Sequence, residues 1–447
     1  MLIHLDLDCF FVSCERQKHP FLNNHPVIVC NSSDEAIFDK APLKNVSQIK
    51  RSGAFAPNEL YDKFQSIKAC ELQEGESFVH TSILKGCECL FCRQSREVFY
   101  DEQGEFFRGM VVAKSYEAKD RGIKTATRLY EALAMCPEAV VIPQSHHSYY
   151  LISHKLKEFL ESKIPEIEQY SIDEFFGDLK GWVRDEDTEE FLKRLQKEIK
   201  KKFSLPVSIG ASSGKWIAKL ATNFAKPYGI KVVPKDRIED FIKNIDIEMF
   251  PGIGKAYTRR LHSRGIKKLG EIKDAKSLLY SWGKYGRDLY AKIEGSDGEG
   301  CLKASSRQSV GISRMFEPVS SRDEMLRRIS ILASHLSYTV MTLGLNPTTF
   351  YMKLKYSSDQ RSKRSVTLDE SFSESFYIKL CKEEFKKLDV YRDDIYGIVL
   401  SVSNFTQNHK KPLSLLNWEK DRKTQKAELA IKSLRDKYGV GVIGYGS

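Results

Sequence analysis

Two stretches of the sequence place pairs of carboxylates where they could hold a metal ion. Asp173 and Glu174 are adjacent within the apolar, aromatic run of residues 170–176, and Asp6 and Asp8 lie on the polar side of an alternating segment. A buried carboxylate without a partner is costly, so acids in such surroundings meet a cation or hydrogen-bond donors. A solvated pair at a hairpin tip explains the first stretch alone equally well. Two carboxylate-bearing strands side by side predict a divalent-metal site.

These stretches resemble known motifs. Residues 4–11 together with residues 171–174 are similar to the two palm motifs of the Y-family, or translesion, DNA polymerases. Further resemblances to this family follow in chain order: residues 116–119 to its fingers motif, residues 207–210 and 218–229 to its late palm motif, and residues 251–254 to its thumb hairpin. The similarity covers the chain except roughly residues 31–109. The ordered set is more specific than any one motif.

The resemblance implies an α/β multidomain fold, the right-hand polymerase with palm, fingers, helical thumb and a little finger. Hydrophobic periodicity agrees, because a nearly all-helical part follows the acidic stretches and the last part has β-α-β-β-α-β order. The expected domains are the palm (1–30 and 144–234), an insertion in the fingers region (31–109), the fingers (110–143), a thumb with a helix-hairpin-helix (235–300), the little finger (307–406) and a C-terminal tail (407–447).

Charge and composition narrow the class of protein. The chain has 447 residues, enough for about three domains. With 71 Lys and Arg against 60 Asp and Glu the net charge is +11, which favours a polyanionic partner, although a ribosome-associated or membrane-surface protein could share it. No apolar run approaches the ~18–20 residues that span a bilayer, and the N-terminus has a strand pattern rather than a signal peptide. We therefore expect a cytoplasmic, nucleoid-associated protein without a membrane partner.

The ten cysteines are expected to be reduced thiols, because the chain shows no export signal. Within the insertion, Cys87, Cys89 and Cys92 with Cys70 and His80 could supply the ligands of a structural zinc ion. A zinc knuckle normally has two paired ligand groups, whereas here one group is tight and the other is scattered. Buried free thiols are the favoured interpretation.

The resemblance assigns the carboxylates roles in nucleotidyl transfer. It implies two Mg²⁺ ions per active site, with Asp6 and Asp173 as bridging ligands and Glu174 as a ligand to the ion at the primer end. The Leu7 carbonyl is a further expected ligand. Mg²⁺ prefers the hard oxygen ligands that these groups supply. The family pattern gives Asp8 no ligand role, so a structural hydrogen bond is expected there.

The resemblance also implies which residues bind the incoming deoxynucleoside triphosphate. These are Tyr116, Lys119 and Lys226, with the main-chain N–H groups around Phe10 and Phe11. Lys119 departs from the family, in which arginine is common, so a bidentate phosphate contact is replaced by a point charge. Phe11 also stands at the family's sugar-discrimination position, where a flat ring would collide with a ribose 2′-hydroxyl. An ordinary core phenylalanine is the alternative.

Two groups of residues are expected to hold primer-template DNA. The glycines of the thumb hairpin permit a tight turn before a helix N-terminus, whose N–H groups can receive a phosphate. A packing element is the alternative for the thumb turn, but the basic residues that follow it favour DNA binding. A solvated edge is the alternative for the charge on the little-finger hairpin, where the resemblance to the family favours DNA binding. The DNA-binding candidates are Gly252, Gly254, Lys255, Lys353, Lys355, Arg361, Lys363 and Arg364.

An apolar pentapeptide at residues 412–416 follows the little finger. It is similar to the segments with which bacterial polymerases dock into the sliding clamp, and Leu413, Leu415 and Leu416 would anchor it. Pro412 stands where glutamine is usual, which predicts weak affinity. Packing against the sheet is the alternative. The end of the chain resembles that of the catalytic subunit of DNA polymerase V, and an accessory subunit is a further expected partner.

These expectations combine into one leading function. It is a template-directed DNA polymerase of the translesion type, adding deoxynucleotides opposite damaged template without proofreading, since no second acidic cluster suits an exonuclease. Its setting would be DNA repair and damage tolerance in the SOS response. A catalytically silent DNA-binding scaffold is the alternative, against which the intact carboxylates argue. A two-metal nuclease or nucleotide cyclase explains the carboxylates but not the thumb hairpin.

Overall fold

The computed structural model describes residues 1–32, 35–38, 109–302, 307–368, 370, 372–406, 418–438 and 440. The chain divides into two compact units, the first formed by residues 1–31 and 68–305 and the second by residues 32–67 and 306–447. The cysteines that the structure describes are free thiols. Outside the described residues lie the zinc-ligand candidates Cys70, His80, Cys87, Cys89 and Cys92, and the clamp-binding candidates Leu413, Leu415 and Leu416.

The described residues of the two units form twelve strands, eight in the first unit and four in the second. In chain order the strands of the described residues are β1 (Leu2–Leu7), β2 (Val27–Ser32), β3 (Gly109–Lys114), β4 (Val140–Pro143), β5 (Glu166–Gln169), β6 (Glu174–Asp178), β7 (Val207–Ser212), β8 (Ile230–Val233), β9 (Ser309–Val319), β10 (Pro347–Tyr356), β11 (Arg361–Thr367) and β12 (Ile395–Phe405).

The α-helices of the described residues are α1 (Phe10–Lys18), α2 (Tyr116–Asp120), α3 (Leu129–Met135), α4 (His146–Glu161), α5 (Thr188–Phe203), α6 (Lys215–Ala225), α7 (Ile238–Ile242), α8 (Lys255–His262), α9 (Lys276–Tyr280), α10 (Lys284–Ile293), α11 (Arg322–Thr342), α12 (Glu374–Leu388) and α13 (Trp418–Tyr438). Within this part of the chain, no helix combines the length and apolar character needed to cross a bilayer.

The first unit is built on a five-stranded sheet in the order β5-β6-β1-β7-β8, with β1 antiparallel to both neighbours. The apolar residues of β1 point into the main core. The α6 helix packs along β7 and β1. His4 and Asp8 are therefore buried, and Asp6 is only partly exposed. The predicted alternation of β1 is present, but its polar side is covered by protein rather than by water.

A three-stranded sheet in the order β3-β2-β4 contains the strands of the predicted fingers. Its middle strand, β2, is parallel to β4. The sequence assigned most of β2 to the palm, yet both strands that it pairs with lie in or next to the predicted fingers. Val111, Ala118 and Leu129 form part of the small core beside this sheet.

The part of the chain predicted as the thumb is helical. Helices α7 to α10 share a core that contains Ile253, Leu261 and Leu289. The same core includes Ile217 and Leu220 of α6. The helix that covers the five-stranded sheet therefore also anchors the helices that carry the predicted DNA-binding hairpin.

The second unit contains a four-stranded antiparallel sheet in the order β11-β10-β12-β9, backed by α11 and α12. Its order of elements is the predicted β-α-β-β-α-β. Phe38, from the short turn Glu35–Phe38, joins this core. The C-terminal helix α13 is attached to α12 by an ion pair between the buried side chains of Arg435 and Glu374. The predicted tail thus contains a helix that is part of the second unit.

Candidate active site

The predicted metal ligands lie at one end of the central strand pair. Asp6 on β1 and Glu174 on β6 are direct cross-strand partners, an arrangement that places two side chains on one face with Cβ atoms about 5 Å apart. The Leu7 N–H donates to the Asp173 carbonyl at 3.0 Å. The structure therefore brings Asp6, Leu7, Asp173 and Glu174 together.

Lys226 neutralises Asp6. Its Nζ lies 2.7 Å from Oδ2 of the carboxylate. Burial raises the pKa of Asp6 to about 6 despite this ion pair, and the Glu174 and Asp173 carboxylates act in the same direction as burial. The site is therefore short of positive charge, which a divalent cation would supply.

Two nitrogen atoms approach the Glu174 carboxylate. Lys219 forms a close ion pair with Oε1, and Nε2 of His4 lies 3.6 Å from the same oxygen. Burial alone would raise the pKa of Glu174, but the contacts with His4 and Lys219 outweigh it and lower the pKa to about 2. Burial lowers the pKa of His4 to about 4, so the imidazole is neutral at pH 7.

Ser171 orders the turn that holds the third carboxylate. Its hydroxyl donates to Oδ1 of Asp173 at 2.5 Å and accepts from the Glu174 N–H at 3.1 Å. Among the residues that the structure describes, no three His, Cys, Asp or Glu side chains are already grouped as metal ligands. Lysine and serine side chains hold the carboxylates instead. The carboxylate and carbonyl oxygens are nevertheless donors that suit a hard divalent cation such as Mg²⁺.

Two of the predicted triphosphate ligands stand on α2. The hydroxyl of Ser115 caps this helix by accepting from the Ala118 N–H at 3.2 Å. The Tyr116 hydroxyl donates to Oδ1 of Asp8 at 3.0 Å, and Nζ of Lys119 lies 5.7 Å from the centroid of the Tyr116 ring. The structure therefore places both residues beside the acidic end of β1.

Asp8 is a buried hydrogen-bond acceptor, the role that the sequence predicts for it. Besides Tyr116, its carboxylate accepts from the Ser208 hydroxyl at 2.8 Å and from the Tyr228 N–H at 2.8 Å. Tyr228 follows Lys226 by two residues, so Asp8 links the two chain segments that carry the predicted triphosphate ligands. The sequence did not reveal these partners, because they are 108 to 220 residues away from Asp8.

The two phenylalanines at the start of α1 differ in exposure. Phe10 is buried in the main core, so only its main chain is free to serve a nucleotide. Phe11 is partly exposed, and its ring stacks on Tyr149 with centroids 4.4 Å apart and planes at 19°. The structure thus shows a Phe11 ring that is partly exposed and held by Tyr149.

Some residues at the site were absent from the predicted set. Lys219 falls within the stretch that resembles the late palm motif, and His4 shares the polar side of β1 with Asp6, so sequence signals for both exist. Ser171 and Ser208 also lie within stretches that resemble the family motifs, but serine is common in turns and strands of every kind, so the residue type gives no sign of a contact with a carboxylate.

The thumb hairpin forms a turn at a helix N-terminus. Gly252 has φ +102°, which L side chains rarely adopt, and a Cβ there would meet nothing within 4 Å. Gly254 precedes α8, which begins at Lys255. The Tyr285 hydroxyl donates to the Gly252 carbonyl at 2.7 Å and supports the turn. The three thumb candidates therefore lie together.

In the second unit, four of the predicted DNA-binding residues form one basic patch. Lys353 and Lys363 are cross-strand partners on β10 and β11, and so are Lys355 and Arg361. The pKa of Lys355 is lowered, first by burial and then by the neighbouring charges of Lys353 and Arg361. Crowded positive charge of this kind favours an anionic partner.

The structure does not bring Arg364 into this patch. Arg364 lies opposite Met352, whose side chain is buried in the core. Nε of Arg364 is 2.5 Å from Oε2 of Glu384 on α12. Successive residues of a strand point to opposite faces, so the neighbour of Lys363 faces the helices.

Comparison with known proteins shows the family. The family model for the impB/mucB/samB family matches residues 5–52 and 91–223, and that for its C-terminal domain matches residues 307–415. DNA polymerase IV of Clostridium kluyveri is 30% identical over 356 residues, which are 76% of this chain and 88% of that protein. DNA polymerase IV 1 of Mesorhizobium japonicum is 29% identical over 339 residues, 74% of this chain and 77% of that protein.

Solved structures show the same fold. A Y-family DNA polymerase chimera, Dbh-Dpo4(243-245)-Dbh, superposes with a TM-score of 0.67 at 20% identity, covering 91% of this chain and 99% of that one. An insertion ternary complex of Dbh DNA polymerase gives 0.53 at 19% identity with the same coverage. The predicted multidomain right-hand fold is thereby confirmed.

The chain belongs to the impB/mucB/samB family of Y-family DNA polymerases. The predictions of a DNA-directed DNA polymerase and of the translesion class are confirmed with it. Divalent metal ions, DNA and deoxynucleoside triphosphates are what this family uses.

Proposed function

We propose that this polymerase extends a primer opposite damaged template, without proofreading, using two Mg²⁺ ions held by Asp6, Asp173, Glu174 and the Leu7 carbonyl. The observation that carries the proposal is the cross-strand pairing of Asp6 with Glu174, beside the main-chain hydrogen bond between Leu7 and Asp173. When bound, the ions would activate the primer 3′-oxygen and neutralise the pyrophosphate leaving group.

Two lysines keep the carboxylates ionised before a cation arrives. Lys219 pairs with Glu174, and Lys226 pairs with Asp6. Without them, acids so close together would repel one another and take up protons. Lys226 has a second proposed partner in the triphosphate, which is a more highly charged anion than a single carboxylate.

The remaining nucleotide contacts surround the acidic end of β1. Tyr116 and Lys119 would bind the triphosphate from α2, and the N–H groups of Phe10 and Phe11 would do so from the start of α1. The ring of Phe11, stacked on Tyr149, would exclude the ribose 2′-hydroxyl. The partial exposure of Phe11 supports this role.

Each unit offers one proposed surface for the DNA backbone. In the first unit it is the turn of Gly252 and Gly254 with Lys255. In the second it is the basic patch of Lys353, Lys355, Arg361 and Lys363. Both would contact phosphates rather than bases, so binding would depend on salt and not on sequence. A chain bound to primer-template DNA in this way would be found on the nucleoid, in the cytoplasm.

We further propose a weak attachment to the sliding clamp through Leu413, Leu415 and Leu416, with an accessory subunit as a second partner. A clamp tether raises the effective concentration of the polymerase at the primer end. Leu415→Ala/Leu416→Ala should lower clamp-stimulated synthesis and leave clamp-independent synthesis unchanged. Equal stimulation of both proteins across a clamp titration would remove this partner.

Primer extension on undamaged and abasic templates tests the proposed function. The parent should extend both templates, and Asp6→Ala and Asp173→Ala/Glu174→Ala should extend neither while binding DNA as the parent does. Glu166→Ala is the matched control, because Glu166 is an exposed carboxylate on a strand of the same sheet. A parent that binds primer-template DNA without extending it would favour the catalytically silent scaffold.

A further inference from the structure

The imidazole of His4 is a buried polar ring beside the proposed metal ligands. The side chain is 1% exposed and packs against the Phe176 ring, 4.6 Å between centroids. Nδ1 lies 2.9 Å from Oγ1 of Thr222. Nε2 lies 3.6 Å from Oε1 of Glu174, longer than a hydrogen bond, and has no hydrogen-bond partner among the described residues. A buried ring nitrogen aimed at a carboxylate calls for a functional explanation.

The close approach of α6 to the sheet brings Thr222 to His4. Gly210 is the cross-strand partner of His4 on β7. A Cβ at Gly210 would lie 2.1 Å from the Ala218 carbonyl oxygen and 2.6 Å from Oγ1 of Thr222. Any other residue would therefore push the helix away from the sheet. Glycine lets the Thr222 hydroxyl reach the imidazole.

The Thr222 hydroxyl has a single hydrogen to donate, and its choice of acceptor bears on the tautomer of His4. Three acceptors are within its reach: Nδ1 of His4, the His4 carbonyl at 3.1 Å and the Ala218 carbonyl at 3.0 Å. Both carbonyls lie in regular structure, one in the sheet and one in α6, where they accept main-chain hydrogen bonds. Donation to Nδ1 satisfies the most groups, and it leaves the imidazole hydrogen on Nε2, facing Glu174.

Both neighbours of the Glu174 carboxylate meet the same oxygen. Lys219, one helical turn before Thr222 on α6, pairs with Oε1. Nε2 of His4 faces Oε1 as well. Among the described residues, no hydrogen bond or ion pair reaches Oε2. The carboxylate is thus held on one side and open on the other.

We propose that His4 is a positioning residue for Glu174: its Nε2–H, with the tautomer set by Thr222, orients the carboxylate through Oε1 and leaves Oε2 for a metal ion. The inference rests on the proposed function, because it takes Glu174 as a metal ligand. Hydrogen bonds to ligating side chains typically change metal affinity by about 10–100-fold when they are removed. Catalytic hydrogen bonds that are long in a free enzyme commonly shorten when the site is complete.

Three substitutions separate this role from simple packing. His4→Leu removes the donor, His4→Gln offers an amide N–H near the position of Nε2, and Thr222→Val keeps the side-chain shape but loses the hydroxyl. Thr188→Val is the matched control, since Thr188 is also a buried threonine of the first unit. The Mn²⁺ dissociation constant of each DNA-bound protein is measured by electron paramagnetic resonance, and the His4 tautomer of the parent by ¹⁵N NMR.

We expect His4→Leu to weaken Mn²⁺ binding by about 10–100-fold, Thr222→Val to weaken it less, and His4→Gln and Thr188→Val to stay close to the parent. The NMR spectrum should show the Nε2–H tautomer. An Nδ1–H tautomer, or unchanged Mn²⁺ affinity in Thr222→Val and His4→Leu, would overturn the proposal. If His4→Leu does not fold, the Mn²⁺ affinity of Thr222→Val and the tautomer of His4 still test the proposal.

A parent that extends primers, together with variants that bind Mn²⁺ as the parent does, would refute only the role of His4. A parent that extends no primer refutes the proposed function.

Discussion

Replacing Arg435 by methionine would leave the Glu374 carboxylate buried without its cation. Both side chains are 1% exposed, and Nη1 and Nη2 of the guanidinium donate to Oε2 and Oε1 at 2.5 and 2.9 Å. Arg435 belongs to α13, and Glu374 is the first residue of α12. The pair therefore joins the C-terminal helix to the core of the second unit. Methionine has a similar length and flexibility but supplies no charge.

The expected loss of unfolding free energy is about 3–5 kcal/mol, the range for removing one partner of a buried ion pair. Domains unfold with about 5–15 kcal/mol in total, so this loss is large. At about 2–4 °C per kcal/mol, the thermal midpoint of the second unit should fall by roughly 10 °C. Differential scanning calorimetry measures the midpoint, and hydrogen exchange shows whether α13 opens first.

Lys432→Met is the matched control for this prediction. Lys432 forms an ion pair with Asp436 at 2.7 Å on the same helix, and both side chains are far more exposed than the buried pair. Such pairs contribute about 0.3–0.5 kcal/mol, so the midpoint should move by only about 1–2 °C. Arg435→Met/Glu374→Leu should recover much of the loss, since neither charge remains. A midpoint of Arg435→Met as high as that of Lys432→Met would refute the reasoning.

Three further predictions concern nucleotide choice, DNA binding and pH. Phe11→Ala should raise ribonucleotide relative to deoxyribonucleotide incorporation by about 10–200-fold; an unchanged ratio in single-nucleotide assays removes the sugar-discrimination role. Lys353→Ala/Lys355→Ala should weaken DNA binding and lower the slope of log affinity against log salt by about 2, whereas Lys379→Ala, an exposed lysine of α12, should change neither. Burial, then Arg314 and Arg435, lower the pKa of His335 from 6.5 to about 4. As the pH falls from 6.5 to about 4, the unfolded chain binds this proton before the folded protein does, so the free energy of unfolding should fall by up to about 3 kcal/mol. Thermal midpoints of His335→Gln that follow the same pH curve as those of the parent would contradict this pH dependence.

The sheets and helices were predictable where the pattern is local. Along β10, Phe350, Met352, Leu354 and Tyr356 are buried and the residues between them are partly exposed, a period of two that the sequence states directly. The same period of two implies that Arg364, which is adjacent to Lys363, points to the opposite face of the sheet. The prediction grouped Arg364 with the basic patch by charge alone and was wrong on this point.

The acidic pattern of the two strands predicted a metal site and the resemblance assigned the proposed ligands, but the sequence did not predict their immediate partners. Asp6 and Glu174 are 168 residues apart in the chain and meet because β1 and β6 pair in one register. Which cation faces each acid depends on how α6 lies on the sheet. Lys219 and Lys226 are both basic residues near one helix, and nothing in their spacing says that one meets Glu174 and the other Asp6.

The contact between His4 and Thr222 could not be predicted from the sequence. It depends on Gly210, a residue without a side chain, which lets α6 approach the sheet. Gly210 belongs to β7 and to the stretch 207–210 that resembles the late palm motif, but neither the strand nor the motif indicates why a glycine is needed there. The need for glycine follows from the packing of α6 on the sheet, because a Cβ at Gly210 would collide with the main chain of the helix. The distance between helix and sheet therefore decides whether a threonine hydroxyl can set the tautomer of a histidine at the site. Periodicity and spacing along the chain do not encode that distance, so the polar neighbours of a catalytic carboxylate have to be found by packing its elements.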